Sequence, residues 1–118
     1  MQLKITLLLF VSVLFYNSNY AQSKSFEWAT SYGGKTAVQS FSIATDASGN
    51  TYSTGFFSDT VDFDPGSGVF NLASIGNTNV FVQKLDSTGA FVWAKSIGGS
   101  SNDVGNAITT DNFGNVYL

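Results

Sequence analysis

The side chains best suited to chemistry are three carboxylates close together, Asp59, Asp62 and Asp64, followed by Pro65-Gly66. Spaced carboxylates beside a tight turn are what a calcium ion takes, because it binds oxygen ligands and needs the chain to fold around it. Against that use, no glutamate closes the loop at EF-hand distance, and Pro65 removes a backbone donor. The pattern therefore reads first as a strand end with a turn, with Asp62 and Asp64 kept as weak calcium candidates and no cofactor expected otherwise. Paired acids for glycoside hydrolysis are disfavoured, since Asp62 and Asp64 stand only two residues apart and nothing marks either as buried.

The other acids of interest recur. Asp-x-x-Gly stands at Asp46–Gly49, Asp86–Gly89 and Asp111–Gly114. A catalytic group need occur only once, whereas a structural turn must occur in every unit, so these three are read as turns. Asp bonds the backbone ahead of it, and Gly takes the positive φ that closes a hairpin. Trp28 and Trp93 could stack on sugars, but their repetition among apolar neighbours points to packing between units. Gly33-Gly34 lacks the Lys and the strand-to-helix setting of a phosphate loop. No catalytic residue is assigned.

Missing residue types exclude more. Histidine and cysteine are both absent. Zinc-site imidazoles, Ser-His-Asp triads and disulfides are therefore excluded for this sequence, and so is the lipidated cysteine of a bacterial lipoprotein. Arginine is absent too, and five lysines stand against eight acids, for a net charge of −3. A nucleic-acid partner needs clustered Lys and Arg to neutralise phosphate, so that class is excluded, as is electrostatic attachment to anionic lipid.

The positions that matter are set by a repeat. Phe26-Glu-Trp28-Ala-Thr-Ser-Tyr-Gly33-Gly34 returns as Phe91-Val-Trp93-Ala-Lys-Ser-Ile-Gly98-Gly99. Ile43-Ala-Thr45-Asp46-Ala-Ser-Gly49-Asn50-Thr-Tyr52 returns as Ile108-Thr-Thr110-Asp111-Asn-Phe-Gly114-Asn115-Val-Tyr117. Both lie 65 residues on without a gap, and 12 of the 28 positions from Phe26 to Ser53 are identical to their partners.

Between the turns lie short runs rich in Val, Ile, Phe, Tyr and Thr: Phe41 to Thr45, Thr51 to Phe57, Asn79 to Leu85 and Phe91 to Ile97. No helical period of comparable length competes with them. Each unit is thus an all-β meander of about four strands. Val80 and Val82 alternate with Phe81 and Leu85, and Phe91, Trp93 and Ile97 with Val92 and Ala94, so both faces are apolar and must be covered. Gly33-Gly34 and Gly98-Gly99 follow the last strand of a unit, where the chain must turn toward the next.

These motifs resemble the SBBP repeats of bacterial secreted beta-propeller proteins. The resemblance rests on Trp28-Ala29, Gly33-Gly34, Ile43 to Tyr52 and Phe81 to Gly89, and it extends over residues 26–118. It implies an all-β propeller of four-stranded antiparallel blades, and it implies nothing about activity. The period of 65 exceeds the roughly 40–50 usual for a blade. The excess falls in Ser58 to Thr78, expected to be an inserted loop or small hairpin between the second and third strands. On this frame residues 26–32 are the last strand of one blade, about 39–97 a complete blade, and 106–118 the opening of the next. Closure takes at least about four blades, so the sequence is expected to be part of a longer protein.

The first residues have a different character. Lys4, an apolar run from Ile5 to Tyr16, and Ala21 form the layout of a secretory signal peptide covering residues 1–21. The run falls well short of the roughly 20 residues of a membrane span. The expected domain is then 22–118, a partial propeller that is secreted or held at the cell surface without membrane insertion. The expected function is a non-catalytic extracellular scaffold or binding module for a protein or carbohydrate. The alternative is a secreted polysaccharide lyase or hydrolase with catalytic residues beyond residue 118.

Overall fold

The computed structural model describes residues 26–118; the signal-peptide reading of 1–21 lies outside them. Eight strands follow in order: β1 (Val38–Thr45), β2 (Thr51–Phe57), β3 (Thr60–Asp62), β4 (Asn71–Ala73), β5 (Asn79–Leu85), β6 (Phe91–Ile97), β7 (Thr109–Thr110) and β8 (Val116–Tyr117). Among the described residues there is no helix, and so none long and apolar enough to cross a membrane.

Four strands form one antiparallel sheet in the order β1-β2-β5-β6. The expected unit of about 39–97 is thus a four-stranded antiparallel meander. The excess residues between its second and third strands are a separate two-stranded hairpin, β3-β4. A third small sheet, β7-β8, opens the next unit.

Each face of the sheet carries a packed apolar cluster. On one, Phe57, Phe81 and Ala94 are sealed by Val61 and Phe63 of the inserted hairpin, with Tyr32 from the N-terminal segment packed at the edge. Phe63 is ringed by aromatic neighbours, with centroids 5.3 Å from Phe57, 5.1 Å from Phe81 and 5.5 Å from Tyr32. On the other face, Tyr52 and Val82 are closed by Ile108, just before β7, with Val116 of β8 beside it. Fully burying a valine, isoleucine or phenylalanine side chain in this way contributes about 1.5–3 kcal/mol.

Three details depart from the sequence reading. β1 starts at Val38, because a bulge between Ser40 and Ser42 carries the pairing past Phe41 and breaks the alternation that marks a strand. Phe91 does not share a face with Trp93. A register shift between Lys84 and Leu85 sets Phe91 opposite Leu85 and turns it into the Phe57–Phe81 cluster, while Trp93 joins Tyr52. Residues 26–32 form no strand; next to them, Gly33 makes an isolated bridge to Asp62.

Candidate functional site

The hairpin and the N-terminal segment bring together two groups that the sequence keeps apart. Ser31, Tyr32, Gly33 and Gly34 face Asp62, Asp64, Pro65 and Gly66 across an open, polar cleft of about 550 Å³. The Gly33–Asp62 bridge ties the two walls together.

The carboxylates here are engaged in holding their own loop. Asp62 Oδ1 accepts from the backbone N–H of Asp64 at 3.0 Å and of Phe70 at 2.8 Å, closing the hairpin across its end. Asp64 Oδ1 accepts from Gly66 N–H at 2.8 Å. Asp59 stands at the entry to the hairpin with φ of 56°, and its carbonyl accepts from Ser74 N–H. Among the described residues no three carboxylates converge as a metal-holding group. The arrangement offers hydrogen-bond acceptors on an open surface.

The Asp-x-x-Gly turns form three copies of one device. Asp46 Oδ1 accepts from the N–H groups of Ser48 and Asn50, and its Oδ2 accepts from the Asn50 amide and the Tyr52 hydroxyl. Asp111 repeats this with Phe113, Asn115 and Tyr117. Asp86 accepts from the N–H groups of Thr88 and Ala90 and from the Thr88 hydroxyl. Donors gathered on a carboxylate favour its ionised form. The Asn50 amide first of all lowers the pKa of Asp46, and the Thr88 hydroxyl lowers that of Asp86. The Asn115 amide leads in bringing Asp111 down to about 2. Gly49, Gly89 and Gly114 close these turns at φ of 80°, 84° and 82°, a region costly for other residues.

Trp28 belongs to this scaffold. Its indole N–H donates to Ser87 O at 3.0 Å, and a side chain at Gly89 would run into its ring. It therefore packs against the turn of the unit that follows it. Trp93 packs inward, its ring 6.2 Å from Tyr52.

Two buried polar residues of β5 escaped the sequence reading. Gln83 donates its side-chain N–H to Phe63 O and accepts from Ser53 Oγ, fastening the hairpin to the sheet. Asn79 donates to Ser96 Oγ and accepts from Ile75 N–H. Both lie in a strand of apolar residues, and a polar residue at such a position signals a bonded partner. Burial also raises the pKa of the Tyr32 phenol, which lies beside Ser53 Oγ.

Neither a curated protein nor a solved structure matches the chain. A family model described as a beta-propeller repeat, SBBP, matches residues 92–118. Those residues run from β6 through the Asp111 turn to β8, and the same motifs stand 65 residues earlier. By that match, residues 92–118 are similar to a beta-propeller repeat of the SBBP family.

Proposed function

We propose that the four-stranded sheet is one blade of a β-propeller, and that the propeller is a non-catalytic extracellular scaffold or binding module for a protein or carbohydrate. One observation carries the architectural part: the equivalent strands of consecutive units touch. Thr110 Oγ1 donates to Thr45 O at 3.2 Å, and these residues occupy the same repeat position, 65 apart. A relation that carries one unit onto the next generates an array when repeated, and a turning array of four-stranded sheets around inner strands is a propeller.

The binding role is supported by chemistry. The recurring carboxylates are engaged in turns, and the polar cleft offers hydrogen-bond acceptors. Function belongs to sites and not to folds, so the reading stands on those side chains. The export reading is supported by Lys4, the apolar run and Ala21.

The test uses protein recovered from the culture medium of its native source, with immobilised polysaccharides and cell-surface proteins as ligands. Saturable retention without new reducing ends or unsaturated sugars is expected, with an N-terminus at or near Gln22. Release of such products would give the protein to the enzyme class instead. A retained Met1 would overturn export by signal cleavage.

A further inference from the structure

We draw no further inference here: the strongest candidate, the open polar cleft in which Ser31 to Gly34 face Asp62, Asp64, Pro65 and Gly66, carries nothing because its chemistry is a pair of carboxylates bonded to the amides of their own loop, and nothing among the described residues points to a ligand for it.

Discussion

The turns Asp46–Tyr52 and Asp111–Tyr117 share a hydrogen-bond pattern and differ in burial. Tyr52 donates to Asp46 Oδ2 at 3.1 Å and Tyr117 to Asp111 Oδ2 at 3.0 Å. Tyr52 is 2% exposed and Tyr117 is 53% exposed. Local sequence is therefore enough to build the turn, while burial of its tyrosine is conferred by neighbours. Tyr52 has β5, Trp93 and Ile108 around it, with the Lys84 ammonium 5.1 Å from its ring centroid. Tyr117 lies in a two-stranded sheet without a third strand beside it.

The largest test of that difference is truncation of each tyrosine. Tyr52→Ala empties a packed site and is expected to cost about 3–5 kcal/mol, as for other buried aromatics. In the chain ending at residue 118, Tyr117→Ala should cost far less, because there it removes a hydrogen bond and little packing. A chain that continues past 118 should lose about as much at either tyrosine. Urea unfolding midpoints of the two variants decide it, and equal losses in the chain ending at 118 would mean that the turn network, not the neighbouring sheet, carries the energy.

A smaller effect is expected at Gln83. Gln83→Leu keeps the bulk but leaves Phe63 O without its buried donor, a loss of about 1–3 kcal/mol. The damage should concentrate in the hairpin, read as faster amide exchange in β3 and β4 than in β1. Uniform loss across the sheet would show that Gln83 does not act through the hairpin.

Much of this arrangement was legible beforehand, for identifiable reasons. The bounds of β2, β5 and β6 followed from apolar runs ending at Asp-x-x-Gly, since turn chemistry is local. The inserted hairpin followed from the length of the repeat. What escaped depends on pairing across the sheet. The bulge at Phe41 and the shift at Lys84–Leu85 turn Phe41 and Phe91 away from simple alternation, and neither leaves a mark in its own strand. The meeting of Gly33 with Asp62 was hidden for the same reason: nothing in either segment specifies the other. Asp62 and Asp64 were recognisable as a strand end with a turn, but their amide partners depended on where the hairpin closed.

A finer comparison among the turns is available from pH. Asp46, Asp86 and Asp111 have folded pKa values below the ordinary carboxylate value, that of Asp111 at about 2. A depressed folded pKa contributes stability above the unfolded value of about 3.9, and that contribution is lost as pH falls through the folded pKa. These aspartates are half-buried at the surface, in reach of solvent, so salt screens the effect and it stays modest. Carboxyl carbon NMR titration is expected to give all three midpoints below the unfolded value, with Asp111 near 2. Replacing Asn115 by Ala should move the Asp111 midpoint upward, because its amide is the leading cause. An unmoved midpoint would mean that the backbone donors suffice.

The smallest expected effect concerns the carboxylates at the cleft. Calcium needs six to eight oxygen ligands, and Asp62 and Asp64 each have Oδ1 engaged by loop amides. A site at tenfold excess over its dissociation constant would stabilise the fold by about 1.4 kcal/mol. No such gain is expected, so the thermal midpoint should stay where it is when calcium is added at millimolar concentration. Asp62→Ala should lower that midpoint with or without calcium, since two amides lose their acceptor. A calcium-dependent rise that disappears in Asp62→Ala would reverse this assignment. The loop would then be an ion site whose carboxylates exchange their amide partners for the metal, unlike the turn at Asp46, where both oxygens are already engaged.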